Sequence, residues 1–221
     1  MDGCSIVALV SQKGGSGKTT VTMQLAAGLI LRGYRVAVCD LDPQESALRW
    51  AESAPAATPF PGRMLRLGGG LDEMRHDLRS LVQHVDFILL DCPPSIEHPN
   101  TVGALDLCDL AVVPVVPSPT DLWSTRAIEK LILQRMEKRR GLLGVLLPNR
   151  VMRTSLAADV LEVMRDFTLP VLAAPLSQRS AFAQSAVLGA SVYELGRAAA
   201  AAQEEVDQLV SAVLEHLESK K

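Results

Sequence analysis

The stretch Ser11-Gln12-Lys13-Gly14-Gly15-Ser16-Gly17-Lys18-Thr19-Thr20 constrains this chain more than any other. The run before it, Ile6-Val7-Ala8-Leu9-Val10, is short, apolar and partly β-branched, the pattern of a buried strand. The run after it, Thr19 to Leu31, reads as a helix. Strand, glycine-rich loop and helix in that order form a phosphate-binding element. Gly14, Gly15 and Gly17 let the backbone turn its N–H groups inward, and the helix N-terminus adds partial positive charge at the same point. The cradle then runs over Gly14, Gly15, Ser16, Gly17, Lys18, Thr19 and Thr20. Lys18 would reach the β- and γ-phosphates of a nucleotide, and the Thr19 hydroxyl would ligate Mg²⁺.

The rest of the chain has the material for one α/β domain over residues 1–221. Apolar residues make up 48% and charged residues 21%, a composition that buries a core instead of staying disordered. Aromatics are only 4%, so the core is aliphatic and base stacking on single strands is a poor prospect. A net charge of -3 excludes a bulk polycation, so nucleic-acid binding would need a local patch. No apolar run is long enough for a bilayer span, and Met1-Asp2-Gly3-Cys4 has no basic region of a secretory signal. Cys4, Cys39, Cys92 and Cys108 are scattered with no C-x-x-C pair, which predicts structural thiols in a reducing cytoplasm.

Strand and helix patterns alternate throughout, predicting a mostly parallel, doubly wound sheet with helices on both faces. Further strands are expected at 35–39, 64–67, 87–90, 111–115, 142–147 and, short, at 170–173. Helices are expected at 44–52, 71–82, 121–140, 155–167, 180–188 and 198–217, with a proline-rich loop at 53–63.

Ligands of parallel sheets gather at the carboxyl ends of strands. Asp40 and Asp42 fall at one such end and Asp91 at another. A lone strand-end aspartate is as often a turn or cap former. Three beside a phosphate loop point to Mg²⁺, which keeps several waters and takes few protein ligands.

Lys13 makes the loop more specific, because an ordinary phosphate loop needs no lysine there. Lys-Gly-Gly-Ser-Gly-Lys-Thr-Thr at residues 13–20 resembles the deviant Walker A loop of the ParA/MinD family of P-loop ATPases. Asp40-Leu41-Asp42-Pro43-Gln44 and Asp91-Cys92-Pro93-Pro94 resemble its two switch segments, and Ser177-Gln178-Arg179 to Gly189 its late Gln-Arg segment. The resemblance implies a homodimer formed with ATP in which Lys13 crosses to the partner's phosphates. It implies that Asp42 orients the attacking water, with Lys13 and Lys18 supplying charge, while Asp40, Asp91 and Thr19 hold Mg²⁺. Asn149, Gln178 and the backbone near Pro175 would receive adenine. With no strong base in these segments, hydrolysis should be slow and stimulated by a partner.

Family members of this kind act on nucleoid DNA or on membranes. The C-terminal stripe of Val206, Leu209, Val210, Val213, Leu214 and Leu217 is flanked by Glu204, Glu205, Asp207, Glu215 and Glu218, with only Lys220 and Lys221 basic. Such an acidic helix is repelled by anionic lipid, so the stripe is expected to pack on the chain's own core and no stable membrane association is expected. By motif neighbourhood Arg153 and Arg179 align with arginines that grip duplex DNA without sequence preference, and Arg150, Lys138, Arg139 and Arg140 could extend the patch. The resemblance thus implies a cytoplasmic, nucleoid-associated ATPase that positions or segregates cargo (a plasmid, a chromosome locus or a large protein assembly) through a ParB-like or cargo-adaptor protein. The alternatives are a MinD-like membrane ATPase, a metabolic ligase of the same fold and an iron–sulfur carrier of the same superfamily.

Overall fold

The computed structural model describes residues 3–219, so Lys220 and Lys221 lie outside the described residues. Six strands carry the fold: β1 (Ser5–Leu9), β2 (Val36–Asp40), β3 (Arg63–Arg66), β4 (Phe87–Asp91), β5 (Leu110–Val115) and β6 (Leu143–Pro148). They form one sheet in the order β3-β2-β4-β1-β5-β6, and every pairing is parallel. The chain leaves β1 toward β2 on one side and reaches β5 on the other. The crevice where the order reverses therefore opens at the carboxyl end of β1, where the phosphate loop begins.

Alternation along the strands divides the core in two. Val7, Leu9, Val38, Leu89 and Val112 face α1 (Lys18–Leu31), α7 (Ser180–Val187) and α8 (Ala200–Glu218). Ile6, Ala8, Ile88, Leu90, Ala111 and Val113 face the opposite layer of α3 (Leu71–Leu81), α4 (Pro99–Leu107) and α5 (Pro119–Lys138). The acidic C-terminal helix lies on the first face, with Val206, Leu209, Val210 and Val213 fully buried. It comes so close to α1 that a Cβ on Gly28 would meet the Val210 side chain at 2.6 Å. Burying four such side chains contributes about 6 kcal/mol or more. The stripe is used on the protein's own core.

Three elements differ from expectation. Helix α4 carries no sequence stripe because it is buried nearly all round, at Asn100, Thr101, Gly103, Ala104, Leu105 and Leu107. It starts at Pro99, where the His98 ring caps the Asn100 N–H. Residues 170–173 form no strand: Val171 makes an isolated bridge to Leu146, and Pro170 and Pro175 flank it without N–H groups to extend the ladder. The terminal helix begins at Ala200, after a 3₁₀ segment, Val192–Ala199, broken by Gly196 at φ 67°. Between β2 and β3, the short helix α2 (Ser46–Glu52) presents Trp50, whose indole N–H donates to the Ala190 carbonyl at 2.9 Å.

Candidate active site

Between β1 and α1 the loop turns through two left-handed glycines, Gly15 at φ 79° and Gly17 at φ 89°. At Gly17 a side chain is excluded twice over, since a Cβ would also sit 2.3 Å from Asn149 Nδ2. The Ser11 hydroxyl braces the loop from within, 2.8 Å from both the Lys13 carbonyl and the Ser16 hydroxyl. No side chain caps α1, so its first N–H groups are left for a ligand. Lys18 is buried beneath the loop, and burial lowers its pKa against the pull of Asp91 and Asp42.

Thr19 and Asp91 meet directly: the threonine hydroxyl donates to Asp91 Oδ2 at 2.7 Å, and Thr22 donates to Oδ1 at 3.3 Å. Burial pushes the Asp91 carboxyl up to about 7, with the Thr19 hydrogen bond lowering it and neighbouring Asp40 raising it. Asp40 stands beside Asp91 in the β2–β4 register. Its Oδ1 accepts the Asp42 N–H, and its Oδ2 accepts the Ala47 and Leu48 N–H groups at the start of α2. Through these bonds Asp40 also holds the switch segment and the start of α2 in place. Asp42 is half-buried, and its Oδ1 accepts the Gln44 N–H at 2.9 Å. It borders a polar cavity of about 400 Å³ with Arg66, Glu73 and Asn100.

A second cavity, of about 290 Å³, opens against the loop and is sized for a small planar group. Gly15, Gly17 and Thr20 form one wall, and Asn149, Arg150 and Leu176 to Arg179 another. Phe182, Ala183 and Ala186 of α7 supply an apolar wall that the sequence reading missed. Their spacing of one, three and four along a helix was the available signal. Of the residues that the resemblance assigns to adenine, Asn149 and Gln178 line this cavity, while Pro175 is exposed beside Leu176, which does. Asn149 also spends an amide N–H on the Ser16 carbonyl at 2.7 Å.

Residues 7–192 match the family described as the CobQ/CobB/MinD/ParA nucleotide binding domain. The chain belongs to this family. Among relatives, the maintenance of carboxysome distribution protein A of Halothiobacillus neapolitanus is 30% identical over 213 residues, covering 94% of this chain and 95% of that protein. The chromosome-partitioning ATPase Soj of Thermus thermophilus is 33% identical over 187 residues, covering 70% and 73%. An ATP-bound McdA variant from Cyanothece has the same fold, with a TM-score of 0.77 at 18% identity over 96% of this chain and 97% of that one.

Two further features of this ParA/MinD-type domain bear on partners. Lys13 is half-exposed and turned onto its own chain, with Nζ 2.8 Å from Asp121 Oδ2 and 3.4 Å from Thr120 Oγ1. Two residues further along α5, Trp123 is 74% exposed. The predicted arginine pair is split. Arg153 is exposed in the turn after β6. Arg179, at the start of α7, donates Nε and Nη2 to Glu205 Oε1 at 3.0 and 2.7 Å. Arg153 thus stands free of any described ion pair, while Arg179 shares its charge with Glu205. Lys138 closes α5, and Arg139 and Arg140 follow it toward the start of β6, at the end of the sheet away from the phosphate loop.

Proposed function

We propose that this protein is an ATPase that dimerises with ATP, binds duplex DNA without sequence preference and positions a large cargo until an adaptor protein stimulates hydrolysis. The observation that carries the reading is Lys13: a second lysine at the mouth of a formed phosphate loop, on a side chain long and exposed enough to reach a neighbouring protomer. Full-length similarity to a carboxysome-distribution protein supports cargo positioning and favours a protein assembly as the cargo.

Adenine enters the cavity between Thr20, Gln178 and the α7 wall, and the polyphosphate lies along the loop within reach of Lys18. The oxygen donors of Thr19 and Asp91 lie side by side beneath the loop, a hard donor pair suited to Mg²⁺. Bound there, Mg²⁺ would neutralise charge on the phosphate oxygens. Lys13 from the opposite protomer adds positive charge as the γ-phosphoryl leaves, and Asp42 orients the water. Positioning and charge are most of what phosphoryl transfer requires, and with no strong base nearby the rate is slow. Slow turnover keeps the dimer on the nucleoid until an adaptor arrives. The membrane alternative is disfavoured because α8 has its apolar stripe buried.

The test is a titration with duplex DNA across salt, with ATP and with ADP, on wild type, Lys13→Ala and Arg153→Ala. Wild type should bind only with ATP. Lys13→Ala should retain ATP but lose both dimer and DNA. Arg153→Ala should dimerise but show a salt slope flatter by about 0.9 for each phosphate contact removed. Wild-type protein that ignores DNA and binds anionic vesicles with ATP would replace this reading with the membrane one.

A further inference from the structure

We infer that Asn149 and Arg150 are positioning residues that set the direction of the phosphate cradle by holding two consecutive loop carbonyls from behind, and that Arg150 ties the cradle to the base cavity. The inference deepens the nucleotide reading above and rests on it. Asn149 Nδ2 donates to the Ser16 carbonyl at 2.7 Å, and Arg150 Nη1 donates to the Gly15 carbonyl at 3.1 Å. In a trans peptide the C=O and N–H point in opposite directions, and none of the described peptides is cis. Fixing the Gly15 and Ser16 carbonyls on the β6 side therefore turns the N–H groups of Ser16 and Gly17 to the other side, where the phosphates lie. A glycine loop has no such preference by itself.

The backbone is bent to make this possible. Successive side chains of a strand point to opposite faces, so two neighbours leaving β6 would not both reach one loop. Arg150 is left-handed at φ 55°, one of two described non-glycine residues with positive φ. The bend is anchored on both sides, by Asn149 N–H to the Val115 carbonyl and by Val151 N–H to the Leu176 carbonyl. A left-handed arginine persists only where surrounding contacts hold it. The same guanidinium then uses Nε on Gln178 Oε1 at 2.8 Å. One planar fork thus joins the loop that faces phosphate to the segment that faces the base. A lysine, a single point charge, has no second donor at that geometry. With these donors committed, Arg150 belongs to the nucleotide site and not to a DNA patch.

The experiment compares ADP and adenosine as calorimetric probes on wild type, Arg150→Gly and Arg150→Lys. Glycine accepts the left-handed backbone, so Arg150→Gly isolates the loss of the side chain. Loss of a charged hydrogen bond predicts ADP binding weaker by about tenfold or more in both variants, with adenosine affected less, so the ADP-to-adenosine affinity ratio falls. The melting temperature of nucleotide-free Arg150→Gly should match wild type, which separates positioning from general destabilisation. Should that variant not fold, Arg150→Lys carries the same expectation. An unchanged ratio, full rescue by lysine, or loss of DNA affinity with ADP affinity intact overturns the inference. Wild type that binds neither probe overturns the nucleotide reading as well.

Discussion

Replacing Asp121 by asparagine should tighten ATP-dependent dimerisation. Lys13 must extend away from its own chain to reach a second protomer, yet it is held 2.8 Å from Asp121, whose side chain is 10% exposed against 46% for the lysine. An exposed pair contributes up to about 1 kcal/mol, and a nearly buried carboxylate places this one at the upper end. A two-fold dimer must open two such pairs, about 2 kcal/mol in all, which is roughly 30-fold in the dimer dissociation constant. Asparagine keeps the shape and can still bond the Ser118 hydroxyl that partners Asp121. The lost ion pair and the lost carboxylate in the first turn of α5 should together cost about 1.5 kcal/mol of monomer stability, so tighter association cannot come from a sturdier fold. Sedimentation with saturating ATP, in an Asp42→Ala background that spares the nucleotide, reads the constant directly. A dimer equal to or weaker than the parent would refute the reasoning and make Asp121 part of the interface.

Asp42→Ala alone should abolish hydrolysis while leaving nucleotide binding intact, so the ATP dimer persists on DNA; ordinary turnover, measured as phosphate release, would show that the aspartates of this segment divide their roles differently. Glu205 should give stability an acid limb. Burial raises its pKa, but hydrogen bonds from Arg179, from the Ser177 hydroxyl and from the Ser177 N–H outweigh that and hold it below its usual 4.5. Its contribution is therefore present above pH 4.5 and lost as pH falls through the lowered value. Glu205→Gln should reduce stability by about 1 kcal/mol at pH 7 and close the gap in acid, read from urea midpoints; equal midpoints at pH 7 would sink the argument.

What was legible in the sequence is what is local. The loop follows from ten consecutive residues and α1 from the run after it, and β1, β2, β4, β5 and β6 from apolar runs ending close to where expected. What was hidden depends on pairs distant in sequence. Arg179 reads as a free cation until Glu205, 26 residues away, folds back onto it. The second task of Asp40, holding the start of α2 through two N–H groups, was not legible because those donors lie seven and eight residues on. Asn149 reads as a base contact, and it does line the cavity, but its grip on Ser16 spans 133 residues. Helix α4 was missed because a helix surrounded by protein has no polar face to set a period. The apolar wall of α7 was readable in principle, but only a known cavity gives that face a meaning.

The two tryptophans are placed as built-in optical gauges. Trp50 is 7% exposed and bonded to the Ala190 carbonyl, on a helix whose start is held by Asp40. Trp123 is open to solvent two residues from the carboxylate that holds Lys13. A soluble quencher such as iodide would darken Trp123 and spare Trp50. Covering the Lys13 face would protect the first, while a tilt of α2 would shift the emission of the second. Unlabelled protein can therefore report, in one cuvette and on separate channels, when a neighbour arrives and when the switch segment moves.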